Sequence, residues 1–263
     1  MDRYARWTAL LEVLAESGRI SVEDAADRLD VSQATIRRDF DQLAQQQMIT
    51  RTRGGAVASA VSYDLPLRYK SAKRAPEKQR IGSAAASLVT PGMVVGINGG
   101  TTTTEVARAL ATRPDLAAGT TGDGTALTIV TNALNIANEL IVRPHVKLVV
   151  TGGVVRPQSY ELIGPLATGI LRDLMLDVAF LGVDAVDVAL GAAAHNEGEA
   201  AINQLMAARA RRIVIVADSS KLGQHAFARI CPIDRVHTLV TDSTANEELT
   251  HKFSTAGVEV IRV

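Results

Sequence analysis

The chain has 263 residues, 47% of them hydrophobic, and its 28 Lys and Arg balance its 28 Asp and Glu. That is enough apolar content for one large domain and a small one, and the zero formal charge excludes a protein that coats nucleic acid by bulk charge alone. The single cysteine, Cys231, excludes a disulfide frame and a cysteine-rich metal centre. His145, His195, His225, His237 and His251 show no ligand spacing, so neither metal nor cofactor is expected. No apolar run suits a membrane span, and the first residues lack the apolar core of a signal peptide, so a cytoplasmic protein is expected.

The N-terminal residues read as three helices and a wing. Trp7, Leu10, Leu11 and Leu14 mark the apolar side of a first helix, which Gly18 ends. Ser21 is placed to cap a second helix, with Asp24 at the capping-box position and Ala25, Ala26 and Leu29 facing inward. Asp30-Val31 turns the chain. Ser32 then caps a third helix, in which Ile36, Phe40, Leu43 and Ala44 recur at i, i+4, i+7 and i+8 as one buried stripe. Gln33, Thr35, Arg37 and Arg38 are left off that stripe. A short helix with an apolar back and a Gln/Thr/Arg/Arg front suits the DNA major groove, where Arg reaches guanine edges or phosphates and Gln pairs with adenine. Residues 48–53 alternate like a strand and Gly54-Gly55 turns it, which puts Arg51 and Arg53 on a wing. Residues 1–57 thus read as a winged helix-turn-helix, with Ser32, Gln33, Thr35, Arg37, Arg38, Arg51 and Arg53 as the DNA-binding set. Its eight arginines meet nine acids, so affinity must come from local placement of a few cations and from dimerisation. The alternative, a small helical bundle with solvated arginines, has to treat the coincidence of turn, amphipathic helix and basic wing as chance.

With these residues the chain resembles the DeoR family of bacterial regulators. The resemblance lies in Val31-Ser32, Thr35-Ile36-Arg37-Arg38-Asp39, Leu43, Ile49, Arg51 and Gly54-Gly55-Ala56. The family's wing is usually Arg-x-His-Gly-Gly-Ala, and here Arg53 stands where His is usual. That exchange keeps a donor and adds a permanent charge, so it bears on wing specificity more than on DNA binding.

Residues 58–75 change character, from small residues through Leu65-Pro66 to basic ones, and read as a linker. The basic run Arg68, Lys70, Lys73, Arg74, Lys78 and Arg80 reads equally as solvated or as phosphate-contacting. A helix is expected from Pro76-Glu77 to Leu88. Strands are then expected over 93–97, 127–130, 147–150, 178–183, 212–217, 235–240 and 258–261. Helices are expected over 102–110, 133–140, 163–174 and 197–208, and a Gly- and Thr-rich surface loop over 112–126. Short apolar strands alternating with helices imply an α/β domain over 76–263 with a mainly parallel sheet.

In such sheets ligands sit at the carboxyl ends of the strands. The first strand is followed by Asn98-Gly99-Gly100-Thr101-Thr102-Thr103, where glycines admit an anion close to the backbone and a helix start offers unpaired N–H groups. This is a phosphate cradle without the spacing of a dinucleotide fingerprint or a Walker loop. The other strand ends add Thr131-Asn132, Gly152-Gly153 with Arg156, Asp184, and Asp218-Ser219-Ser220-Lys221. Lysine meets phosphate as a point charge, and Asp or Asn reads hydroxyls, so an anionic polyol is the expected ligand. Asn196 and Glu197 read either as ligand contacts or as the cap of the next helix.

These segments also resemble the DeoR-family effector domain, which is ribose-5-phosphate-isomerase-like and generally binds phosphorylated sugars. Gly100-Thr101-Thr102-Thr103-Thr104-Glu105, 130–137 and His195-Asn196-Glu197 resemble the amino-sugar branch. The resemblance implies a repressor of carbohydrate genes that binds double-stranded operator DNA as a homodimer or homotetramer, under control of a phosphorylated sugar or amino-sugar effector. Asn98 replaces the usual Asp, Ala185 a frequent Gly, and Ala192-Ala193-Ala194 a threonine-rich segment. Two alternatives follow. One is a sugar-phosphate isomerase with a DNA-binding head, using Asp184, Glu105 or Glu197 as base. The other is a constitutive DNA-binding protein with a vestigial pocket.

Overall fold

In a computed structural model the described residues are 3–45, 48–58, 67, 74–118 and 126–263, and the chain divides into two compact units, 1–65 and 66–263. Most of the expected linker lies outside the described residues, including Arg68, Lys70 and Lys73, as do residues 119–125 of the expected loop.

The first unit runs α1 (Arg3–Ser17), β1 (Arg19–Ser21), α2 (Val22–Leu29), α3 (Gln33–Gln45), β2 (Ile49–Arg51) and β3 (Gly55–Ala58). Trp7, Leu10, Leu11 and Leu14 of α1 are buried with Ile36, Phe40 and Leu43 of α3, while Ala44 is only half-buried. Ser21 Oγ accepts the Asp24 N–H at 2.9 Å, and Ser32 Oγ accepts that of Thr35 at 3.2 Å, so both predicted caps form. Asp30 makes the turn after α2 in the left-handed region, which Asp tolerates better than most residues. Strand β1 was not expected from the sequence. It pairs antiparallel with β3, which pairs with β2, and so ties the wing to the end of α1. Asp39, 2% exposed, fastens α1 to α3: its carboxylate accepts from Trp7 Nε1 at 2.8 Å and from Arg6 Nη2 at 3.1 Å.

The second unit begins with α4 (Ala75–Ala86), β4 (Val94–Ile97), α5 (Thr101–Thr112), α6 (Pro114–Ala118), β5 (Leu127–Thr131), α7 (Leu134–Leu140) and β6 (Val146–Val150). A hairpin of β7 (Val154–Arg156) and β8 (Glu161–Ile163) follows, then α8 (Pro165–Arg172) and β9 (Leu176–Gly182). The expected helix from residue 163 therefore starts at Pro165, after a strand. Next come β10 (Ala185–Asp187), β11 (Gly191–Ala194), α9 (Glu197–Arg209), β12 (Ala210–Val216), β13 (Ala228–Cys231), β14 (Thr238–Thr241), α10 (Glu247–Thr255) and β15 (Glu259–Arg262).

Seven strands form one parallel sheet in the order β15-β14-β12-β9-β4-β5-β6. Residues alternate between its faces. Val178, Phe180, Val214 and Val216 pack with Ile81, Val106, Leu110 and Ile136, whereas Ala179, Leu181, Ile213 and Ile215 pack with Leu171, Met206 and Phe253. Strands β10, β11 and β13 form a separate antiparallel sheet. Ala185 and Ala192–Ala194 are buried in it, so the alanine replacements serve packing. Building outward from β4, the chain lays β5 and β6 on one side and β9, β12, β14 and β15 on the other. The reversal lies between β4 and β9. Asn98 closes it: its Nδ2 donates to Gly182 O at 2.9 Å, and Gly182 N–H donates to its Oδ1 at 2.8 Å.

Two substitutions probe these ties. Asp39→Ala leaves Arg6 without its carboxylate, and the N-terminal unit should lose about 3 kcal/mol, read as a lower denaturation midpoint in the fluorescence of Trp7, the only tryptophan. Asn98→Asp keeps the acceptor and loses the donor, and should cost about 2 kcal/mol in the second unit by thermal melting. An unchanged midpoint in either case would show that the corresponding tie contributes nothing.

Candidate functional site

The first unit presents one face of α3. Ser32, Gln33, Arg37 and Arg38 are exposed, with Arg37 Nη2 donating to Gln33 Oε1 at 3.3 Å. Thr35 is half-buried, and its hydroxyl lies 2.9 Å from Ser32 Oγ in the helix cap. Arg53 is exposed in the turn between β2 and β3. Arg51 behaves differently. Its Nε pairs with Asp41 at 3.0 Å, its guanidinium lies 5.6 Å from the Phe40 ring centre, and Nη1 donates to Gly55 O at 3.4 Å. It braces the wing against α3, a role the sequence, which offered it as a DNA contact, did not show.

In the second unit, parallel pairing brings the predicted loops to one rim, because each follows the carboxyl end of a strand. The cradle residues Gly99, Gly100, Thr101, Thr102 and Thr103 lead into α5 beside the reversal between β4 and β9, and the first N–H groups of that helix have no partner within it. Thr103 and Thr104 hydroxyls donate to Gly100 O, at 3.2 and 2.6 Å. Asn98, predicted as a ligand contact, has both amide atoms engaged by Gly182.

The hairpin completes the site and was not foreseen. Its backbone is stitched to the end of β5: Leu162 N–H donates to Asn132 O at 2.7 Å, and Leu134 N–H to Tyr160 O at 2.9 Å. Glu161 is thereby laid against Gly99, where a Cβ would overlap its carboxyl. Arg156 Nη1 lies 3.2 Å from Glu199 Oε1, both side chains largely buried. Burial first, then the Glu199 and Asp184 charges, push the Glu161 carboxyl up to about 8 against the opposing pull of the Gly99 backbone amide and the charge of Arg156. Glu161 Oε2 and Asn132 Oδ1 are buried with no hydrogen-bond partner. The site thus joins backbone donors suited to an anion with unengaged acceptors suited to hydroxyls.

Other predicted residues sit elsewhere or have structural partners. Gly153 turns the chain from β6 into β7 at φ 124°, and a Cβ there would lie 2.8 Å from Ala167 Cβ. Gly152, at φ 72°, shares that turn. Asn196 caps α9 by accepting the Glu199 N–H at 3.1 Å. Glu197 is exposed, and Glu199, one half-turn on, is the acid that faces Arg156. Asp184 accepts the His195 N–H at 2.9 Å. Thr131 Oγ1 accepts the Ala133 N–H at 3.1 Å. Lys221 ends a short 3-10 turn after β12, half-buried and without an ion pair among the described residues. Beside it, Arg74 Nη1 donates to Ser219 Oγ at 2.7 Å and lies 3.9 Å from Asp242. Burial raises the Asp242 carboxyl, but hydrogen bonds from Thr244 and Ser219 outweigh it and hold the group below the usual range.

Residues 6–60 match the DeoR-like helix-turn-helix domain, and residues 73–243 match the DeoR C terminal sensor domain. The chain is 35% identical over 254 residues to the HTH-type transcriptional regulator GlpR of Haloferax volcanii, covering 96% of this chain and 94% of that one. It is 34% identical over 257 residues to a candidate aga operon transcriptional repressor of Escherichia coli O157:H7, covering 97% and 91%. The glycerol-3-phosphate regulon repressor of Escherichia coli K12 is 29% identical over 243 residues, covering 92% of each chain. The ribose 5-phosphate isomerase A structure from Methanocaldococcus jannaschii is similar at 19% identity and a TM-score of 0.39, over 55% of this chain and 52% of that one, a likeness too distant to carry an activity across. On two matching domain families and relatives aligned along nearly its whole length, this chain belongs to the DeoR family.

Proposed function

We propose that this protein represses carbohydrate catabolism genes by binding operator DNA, and that a phosphorylated sugar in the C-terminal domain controls that binding. The carrying observation is the Gly99–Thr103 loop, set at the sheet reversal and opening into a helix N-terminus beside buried hydroxyl acceptors. In the same chain, Gln33, Arg37 and Arg38 form an exposed face on α3. The names of the relatives support the repressor reading, since one is a glycerol-3-phosphate regulon repressor. The protein works in the cytoplasm as a homo-oligomer, because a neutral head with few exposed arginines needs a second head to hold DNA.

The isomerase reading needs a carboxylate placed as general base. Of the three the sequence offered, Asp184 accepts from the His195 backbone, Glu105 pairs with Arg108 at 2.7 Å, and Glu197 points to solvent. Two are engaged elsewhere and the third is exposed, which favours a sensor over a catalyst. The vestigial-pocket reading rested on the alanines at 192–194, and those residues pack the interior of β11.

Arg37→Ala with Arg38→Ala should weaken operator binding about 100-fold in a gel shift, at roughly 1–3 kcal/mol per lost arginine contact. Effector binding and oligomeric state should stay unchanged. Equal operator affinity would remove α3 from the interface. Lys221→Ala should weaken sugar-phosphate binding about tenfold by calorimetry while preserving effector-free DNA affinity. If the titration is unaltered, Lys221 has no part in the site.

A further inference from the structure

Three side-chain oxygens around the anion cradle are buried with no donor to hold. They are Glu161 Oε2, Asn132 Oδ1 and Asn135 Oδ1, none with a hydrogen-bond partner among the described residues. Glu161 is 2% exposed and Asn132 0%. A separate element brings each one to the loop. Ile97 pairs with Thr131 across β4 and β5, so Asn132 leaves its strand beside Asn98, where the cradle begins. Asn135 stands in the first turn of α7, and its Nδ2 donates at 2.8 Å to Thr104 Oγ1, which donates in turn to Gly100 O. Glu161 comes on β8, whose Leu162 N–H donates to Asn132 O, and a Cβ on Gly99 would overlap the Glu161 carboxyl.

Both asparagines have committed their amide N–H groups to the protein, Asn132 to Leu162 O at 3.4 Å and Asn135 to Thr104, so the oxygens are the ends left over. A buried oxygen without a donor costs stability, and three of them gathered at one loop call for a reason. They do not suit the phosphate itself, because oxygen repels oxygen. Two of them are neutral amide oxygens, which do little to balance an ammonium charge. The third belongs to a carboxyl, which a hydroxyl suits in either state, donating to a carboxylate and accepting from an acid.

We propose that Asn132, Asn135 and Glu161 are the specificity-determining residues of this site: they hydrogen-bond the hydroxyls of a polyhydroxy phosphate ester whose phosphate lies in the Gly99–Thr103 loop. This rests on the phosphate-site reading above. The loop takes any phosphate monoester, and the three oxygens choose among them by the hydroxyls that follow the phosphate. An ester without hydroxyls leaves the oxygens unpaired and is rejected for it. Stability is thereby set against recognition. In the ligand-free protein the Glu161 carboxyl is a burden, so an apolar side chain of similar length should not lower the melting temperature.

The test is calorimetry on the full chain with ribose 5-phosphate, glycerol 3-phosphate and propyl phosphate. The last two share a phosphate and a three-carbon chain and differ only in two hydroxyls. Wild type should bind at least one hydroxylated ester about tenfold or more tightly than propyl phosphate. In Glu161→Met and in Asn132→Leu that preference should shrink to about threefold or less, with propyl phosphate affinity kept. Without ligand, Glu161→Met should melt no lower than wild type. Equal binding of all three esters by wild type would overturn the inference and leave the phosphate site standing. So would variants that keep the wild-type preference, or variants that melt lower and lose all three esters in equal proportion, since that marks residues that only support the loop. Should one variant fail to fold, the other decides, and the wild-type comparison stands in any case. No binding of any ester by wild type would sink the phosphate-site reading, and the inference with it.

Discussion

The effector domain depends on how the two halves of its sheet are joined at β4 and β9. A strand order that reverses there parts the two following loops and leaves a crevice above the strand ends. Asn98 sets the spacing of that crevice. Its amide offers a donor and an acceptor, and the Gly182 backbone takes both. An aspartate there would supply acceptors alone. The amide is committed to this joint, and the neighbouring Gly99–Thr103 loop inherits a fixed position from it. A binding loop is only as well placed as the elements that carry it.

Charge is allotted by the same logic of local pairing. The chain is neutral overall, so any cationic surface depends on which acids are paired with other cations. In the first unit Asp39 is engaged by Arg6 and Trp7, and Asp41 by Arg51. Arg37, Arg38 and Arg53 stay exposed. In the second unit Arg74 lies among Asp218, Ser219 and Asp242, at 3.8 Å from Asp218, while Lys221 in the same loop has no acidic partner among the described residues. Counting charges along the sequence does not reveal this. What matters is which cations are left once the interior pairs have formed.

The main sheet and the helix-turn-helix were legible because their elements are long enough to show a period. Ile36, Phe40 and Leu43 announce one buried side of α3, and runs such as Ile213–Val216 announce a strand covered on both faces. Strand β1 and the pairs β7–β8 and β10–β11 were not legible, since three or four residues carry no period and their partners are chosen by tertiary packing. The candidate site was legible in its loops and illegible in its acids. Glu161 lies far along the chain from Gly99, and nothing near it in sequence shows that a hairpin will fold it back. Glu197 and Glu199 share the first turn of α9, and only the helix phase decides which one faces Arg156. Arg51 shows a further limit: its identity fits a DNA contact, but its direction is set by Asp41 and Phe40.

Distance along the rim narrows which groups share one ligand. Strands β12 and β6 are four places apart, and at about 4.8 Å per strand their ends stand about 19 Å from each other. A small ester lodged above β4 does not span that width. The chain shortens it from one side by turning at Gly152-Gly153 and sending the hairpin back across β5, which is why Glu161 rather than the glycines reaches Gly99. A sensor also needs two arrangements that bind its ligand unequally, since a ligand with equal affinity for both shifts nothing. A fixed cradle cannot supply them.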